Sequence, residues 1–302
     1  MNLKELCNIH APSGSEWRIK EYLLDYIKSN KRKWKHKASI TSKGIKDNLI
    51  LSFGKPRIAI FCHFDTTGFT VRYNNSILNI GSPVITEKDI LKTINEKGEK
   101  QTFKVIKDED NNFRLDSNIT IKPGTVLSFG SELKSKGNLV SGPYLDNRAG
   151  LWVMLKVAEE IKNGLLVFTS YEEHGGGSVE FLAPYIYNVY GISQSIICDM
   201  TWESEAVKMG KGLVVSLRDR YIPRQRYIET ISDVLTNNRI KLQFEVEGSG
   251  SSDGGYLQKS SVPFDWCFTG IPLKNMHSSC ETANMLDLQE LIKALLLLSK
   301  KL

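Results

Sequence analysis

The sequence predicts an α/β fold: a mixed central sheet flanked by helices, with a small all-β domain inserted into it. Two observations carry this. Short apolar runs alternate with helical patterns along most of the chain, the alternation that builds layered α/β folds. Within 67–139 that alternation stops, and short strand-like runs separated by turn residues replace it. A third observation bears on function. Acidic and histidine residues stand just after the apolar runs, and open α/β sheets gather ligands beyond the carboxyl ends of their strands.

Taken in order, SGSE at 13–16 reads as a helix start with Ser15 as N-cap, and WRIKEYLLDYIK then shows helical apolar spacing. NLILSF and RIAIFC, separated by GKP, read as a strand pair. The runs FTVRY, ILNI, TFKVI and TVLSF alternate with turn segments such as EKGEK, DEDNN, KPG and SKGN. This is the inserted β-barrel-like unit, 67–139, and the α/β part comprises 1–66 and 140–302. Helical patterns recur at 147–162, 224–238 and 284–301, with strands LLVFTS, SIIC and VPFDWCF among them.

Composition bounds the class. The chain is 302 residues long, 41% hydrophobic and 25% charged, ordinary values for a globular protein with a sizeable core. Its net charge of +6 is modest and partly local to KRKWKHK at 31–37, which reads as a solvated loop face; no nucleic-acid partner is expected. The five cysteines, Cys7, Cys62, Cys198, Cys267 and Cys280, are odd in number and contain no C-x-x-C. They predict neither a disulfide framework nor a zinc ribbon, and Cys62 and Cys198 read as core residues. The N-terminal MNLKELCNIHAPSGSE lacks a signal-peptide apolar stretch, and ALLLL near the end is far too short to span a membrane. The expectation is a cytoplasmic protein with no membrane partner.

The functional candidates are His63 and Asp65 after RIAIFC, Asp146 in GPYLDNRAG, Glu172 and Glu173 after LLVFTSY, Asp199 after SIIC, and His277 beyond PFDWCFTGIP. A pair of divalent metals needs one bridging carboxylate and about two further protein ligands each. His63, Asp146, Glu173, Asp199 and His277 match that requirement in number and type. Asp65 lies two residues after His63, so on a strand both face one way, and its carboxylate can accept the outer imidazole N–H. Glu172 and Glu173 point apart on an extended chain. Glu173 can then hold metal while Glu172 faces water as general base. Each has an ordinary reading alone: Asp146 as a helix N-cap, Asp199 as a turn residue, the glutamates as solvated charge. Joint occurrence at strand ends lifts the site reading. His10, His36 and His174 lack that support and read as structural or surface residues, with His174 near enough to the Glu pair to line the cleft.

The order HFDTTGF, SGPYLDNRAG, VFTSYEEHGG, CDMTW, IPLKNMHSS resembles the glutamyl and deblocking aminopeptidases, also called tetrahedral aminopeptidases, which are cobalt- or zinc-dependent exopeptidases. HAPSGSE, KMGKGLVVSLRDRYIP and GSGSSDGGYLQ carry the resemblance over nearly the whole chain. It implies that the α/β part is a catalytic metallopeptidase domain acting on peptides with a free N-terminus. It implies two divalent ions, zinc or cobalt, with manganese also suited to such ligands. By the family pattern, His63 and Asp199 hold one ion, Glu173 and His277 the other, and Asp146 bridges. Glu172 is then the base and Asp65 the partner of His63. A homo-oligomer follows, the family's form being a hollow dodecamer assembled partly through the inserted domain. The chain departs from the family at Thr66 and Thr67, usually Glu-Val, at His174 and Gly175, usually Val-Gly, and in a shorter insert. The alternatives are a related di-metal deacylase or carboxypeptidase acting on N-acyl amino acids, and a non-catalytic member retained for binding or assembly.

Overall fold

The computed structural model describes residues 2–95 and 98–302; Met1 and the Glu96–Lys97 part of the EKGEK turn lie outside the described residues. The central sheet has eight strands in the spatial order Ala38–Thr41, Leu49–Phe53, Gly164–Thr169, Ala59–His63, Gln194–Trp202, Asp265–Leu273, Leu213–Arg218, Leu242–Val246. It is mixed. Gly164–Thr169, Ala59–His63, Gln194–Trp202 and Asp265–Leu273 run parallel, while Leu49–Phe53 and Leu213–Arg218 pair antiparallel with their inner neighbours.

Every residue of Ala59–His63 and Gly164–Thr169 is buried, which is why these strands read as continuous apolar runs rather than alternations. Their side chains still divide between two layers. Ile60, Cys62, Leu166 and Phe168 face a core built with Leu3–Asn8, Trp17–Asn30, Leu145–Glu160, Gln225–Asn237 and Met285–Lys301. Ala59, Phe61, Leu165 and Val167 face a smaller core under Val179–Tyr190 and Asp253–Gln258. Helix Gln225–Asn237 buries Tyr227, Ile228, Ile231 and Leu235, a helical stripe aimed at the sheet.

Two local expectations are corrected, and one helix is new. NLILSF and RIAIFC do not pair: Gly164–Thr169 lies between them. The 54–58 link reaches up to about 17 Å, and crossing one intervening strand needs only about 10 Å. Glu16, not Ser15, occupies the N-cap position of Trp17–Asn30, and no side chain caps that end. Helix Val179–Tyr190 carries no helical reading in the sequence because Pro184 and its tyrosines obscure the pattern.

A separate antiparallel sheet of six strands forms the second domain, ordered Ile77–Ile80, Gly68–Val71, Val126–Phe129, Ile90–Ile94, Lys100–Lys107, Phe113–Asp116. A bridge between Ser76 and Arg114 links its two edges, and Phe69 meets Phe129 edge-on at 5.5 Å inside it. Lys134–Lys136 belongs elsewhere. It pairs with Leu139–Gly142, which pairs in turn with Glu281–Asn284. That small sheet brings the C-terminal part of the chain beside the segment leading into Asp146. Among the described residues no helix is long and apolar enough to cross a membrane.

Candidate metal centre

The parallel strands place their carboxyl ends on one side of the sheet. His63 closes Ala59–His63, and Glu172 and Glu173 follow Gly164–Thr169. Asp199 lies in the second half of Gln194–Trp202, beside Gly270 of the neighbouring strand. A Cβ on Gly270 would lie 1.9 Å from the Asp199 carbonyl oxygen, so only glycine permits this approach. Asp146 sits at the start of Leu145–Glu160 with extended rather than helical backbone. The cap there is Asn147, whose Oδ1 accepts the Gly150 N–H at 3.0 Å. The Asp146 carboxylate is therefore not spent on capping.

All seven candidates converge. His63 Nε2 lies 3.2 Å from Asp146 Oδ1 and 3.2 Å from Asp199 Oδ1. His277 Nε2 lies 3.3 Å from Asp146 Oδ2 and 3.4 Å from Glu173 Oε2. Asp146 thus presents one oxygen to each histidine. Donor atoms of His63, Asp146 and Asp199 fall within 4.8 Å of one another, as do those of Asp146, Glu173 and His277. Glu172 Oε2 stands 4.0 Å from His63 Nε2.

Asp65 faces His63 Nδ1 at 3.5 Å, longer than a good hydrogen bond. Its tighter contacts are with Ser13 Oγ at 2.5 Å and the N–H groups of Glu172 and Glu173 at 3.2 and 3.1 Å. It therefore orients the glutamate pair as well as the imidazole. Burial works against its charge, yet His63, Ser13 and the Glu173 N–H hold Asp65 below the usual carboxylate range.

Several contributors escaped the sequence reading. Glu281, buried, accepts the Asp146 N–H at 3.0 Å and the His277 N–H at 2.6 Å, tying both backbones to one carboxyl. Asp253 is buried, accepts the Thr169 hydroxyl at 2.6 Å, and is pushed up to about 7, chiefly by burial. Ser82 Oγ lies 3.1 Å from His277 Nδ1, and the Val84 N–H bonds the His277 carbonyl at 2.9 Å. Gly81 donates its N–H to His174 Nδ1 at 2.9 Å. The Thr67 N–H bonds Glu173 Oε1 at 3.2 Å, a backbone contact indifferent to the side chain at that departure from the family. His10 is engaged with Ser128 at 2.8 Å.

Tyr144, Tyr171 and His277 all have positive φ without being glycine. Such conformations persist only when surroundings enforce them. Here the Phe129 N–H bonds the Tyr144 hydroxyl, the buried Glu16 accepts the Tyr171 N–H at 3.1 Å, and Glu281 holds His277.

The electrostatics fit divalent cations. Burial first, then neighbouring carboxylates, pushes Glu172 and Glu173 well above the usual range and raises Asp199. Burial opposes protonation of His63, but Asp199 and Asp146 outweigh it and raise its pKa. Among the described residues the ion-pair partners of Asp146, Glu172, Glu173 and Asp199 are histidines, never lysine or arginine. Buried carboxylates without cationic side chains, beside imidazole nitrogens, form a donor set suited to divalent metals.

Gly81 has φ +71, and a Cβ there would come within 2.8 Å of the Glu173 carbonyl oxygen. Gly81→Ala is expected to cost roughly 1–3 kcal/mol of stability and to lower kcat/KM by displacing Glu173. Thermal melting with steady-state kinetics checks this; a variant unchanged in both would show that the segment relaxes freely.

The model of the M42 glutamyl aminopeptidase family matches residues 80–294. Solved structures share the fold. The TET aminopeptidase of a marine-sediment Thaumarchaeota archaeon superposes with TM-score 0.86 at 18% identity, over 99% of this chain and 96% of that one. An aminopeptidase from the archaeon Desulfurococcus kamchatkensis gives 0.85 at 19%, over 99% and 94%. The TET1 peptidase of Pyrococcus horikoshii gives 0.79 at 22%, over 98% of each. With well over half its length matched by the family, and the motif order pointing the same way, the chain belongs to the M42 glutamyl aminopeptidases and is a peptidase.

Proposed function

We propose that the protein is a two-metal aminopeptidase that removes residues from the free amino end of peptides. The observation that carries this is Asp146, one oxygen toward His63 and the other toward His277, with Asp199 and Glu173 completing the two groups. His63 and Asp199 would hold one ion, Glu173 and His277 the other, with Asp146 shared; zinc, cobalt and manganese all suit these ligands. Bound divalent ions supply Lewis acidity and acidify water at neutral pH.

The remaining steps fall to the chain. Glu172 takes a proton from the attacking water and returns it to the leaving amine as the peptide C–N bond breaks. Burial raises its pKa, which makes it the stronger proton acceptor. Asp65 holds the backbone of Glu172 and Glu173 and faces His63 Nδ1, leaving Nε2 free toward the centre.

We also read 1–66 and 140–302 as the catalytic domain and 67–139 as the insert, with the end of that insert, Lys134–Lys136, pairing with Leu139–Gly142 of the catalytic side rather than with the six-stranded sheet. The chain is proposed to form a homo-oligomer, up to a dodecamer. The Pyrococcus horikoshii relative assembles into a tetrahedron or an octahedral shell, which supports this reading. The free state of all five cysteines fits a cytoplasmic location.

The test is hydrolysis of aminoacyl-p-nitroanilides against N-acetylated controls, after chelation and after restoring zinc, cobalt or manganese. Metal-dependent release from free-amine substrates alone is expected. Turnover of N-acyl amino acids instead would replace the reading with a deacylase. Silence on both substrate classes with metals bound would indicate a binding or assembly protein.

A further inference from the structure

A cavity of about 340 Å³ lies at the end of the strand that carries Asp199. Its lining includes residues close in sequence to two of the proposed ligands: Met200, Thr201 and Trp202 follow Asp199, and Met276 precedes His277. Trp202 is 50% exposed, and its ring centre lies 6.0 Å from that of His277. Phe268, on the neighbouring strand, adds to this apolar lining. A hydrocarbon stem entering beside the metal centre would find matching surface here.

Three carboxylates line the same cavity: Asp219, Glu245 and Glu247. Asp219 and Glu245 are 8% and 6% exposed. Glu245 accepts the Thr201 hydroxyl, and Asp219 accepts the Tyr221 N–H at 2.6 Å. Those are neutral partners. Arg218, next in sequence, turns its Nε to the Asp219 carbonyl oxygen at 3.2 Å, and its charge favours the Asp219 carboxylate only from a distance, against burial. Among the described residues no lysine, arginine or histidine forms an ion pair with any of the three. Burial chiefly, with repulsion from Glu247 and Asp219, raises the Glu245 pKa against the opposing hydroxyls of Thr201 and Ser216. Buried negative charge lacking a positive partner is costly, and an entering cation relieves it.

We propose that this cavity receives the side chain of the substrate's N-terminal residue and selects a long cationic one, lysine or arginine. The stem lies against Met200, Trp202, Phe268 and Met276, and the charged head meets Glu245 and Asp219. The inference rests on the aminopeptidase reading and departs from the glutamyl preference in the family's description. An N-terminal glutamate would add a further negative charge to a cavity that already holds three carboxylates, none of them in an ion pair among the described residues.

The experiment compares kcat/KM for lysyl-, arginyl-, leucyl-, alanyl- and glutamyl-p-nitroanilide on the metal-reconstituted full chain. Lysyl and arginyl substrates are expected to be fastest and glutamyl slowest. Glu245→Gln keeps an acceptor for the Thr201 hydroxyl but removes the charge. It is expected to lower the lysyl-to-leucyl ratio of kcat/KM by roughly 10- to 100-fold, mainly through KM. Glu247→Gln, at an exposed position, should lower the ratio less, and it serves if Glu245→Gln melts early. A leucyl, alanyl or glutamyl preference, or an unchanged ratio in folded variants, would overturn the pocket while leaving the aminopeptidase reading standing. No turnover of any free-amine substrate would overturn both.

Discussion

Glu172→Gln is expected to lower kcat by roughly 100- to 10,000-fold, the usual contribution of a positioned general base, while metal content stays at the wild-type level. The variant keeps shape and a hydrogen-bonding side chain but cannot take a proton from water. Asp65 grips the Glu172 backbone rather than its side chain, so the turn should survive the change. Glu172 is also outside both candidate metal groups. The measurement pairs steady-state kinetics with elemental analysis of the purified variant. Near-normal kcat would remove Glu172 from the mechanism. Loss of metal together with activity would make it a ligand instead.

The second large effect concerns Asp146, which is common to both groups. Asp146→Ala is expected to abolish binding of both ions, whereas Asp199→Ala and His277→Ala should each weaken one site more than the other. Binding linked to folding adds stability, about 4 kcal/mol when free metal exceeds its dissociation constant a thousandfold. Melting temperature should therefore rise on adding metal to the chelated wild type and hardly move for Asp146→Ala. Asp199→Asn should shrink the metal-induced rise in melting temperature, because an anionic member of one group is lost. Calorimetry with and without chelator reads the change. Equal metal-induced shifts for wild type and Asp146→Ala would dismiss the shared-carboxylate arrangement.

What was legible in the sequence follows from where the information lies. His63 and the glutamate pair end or follow strands buried on every residue, so an apolar run announces them locally. Asp146 has no such herald, and its extended backbone at a helix start could equally have suited a cap; the surrounding motif singled it out. Glu281 and Ser82 act across 135 and 195 residues, and no local pattern encodes such partnerships. Ser13 was hidden because SGSE reads as a helix start, and Asp253, though inside GSGSSDGGYLQ, meets Thr169 only across 84 residues. The supposed pairing of NLILSF with RIAIFC failed because sequence adjacency was taken for spatial adjacency. The intervening strand comes from more than a hundred residues later.

The contacts of Ser82 and Val84 with His277 bear on the molecule's life before folding is complete. Residue 82 is made 195 residues before residue 277, and the ring and carbonyl of His277 have no seat until both are present. Loop closures of that span are slow steps in folding. With His277 in the role proposed for it, hydrolytic competence should therefore appear only after residue 277 has been made and has met residues 82 and 84.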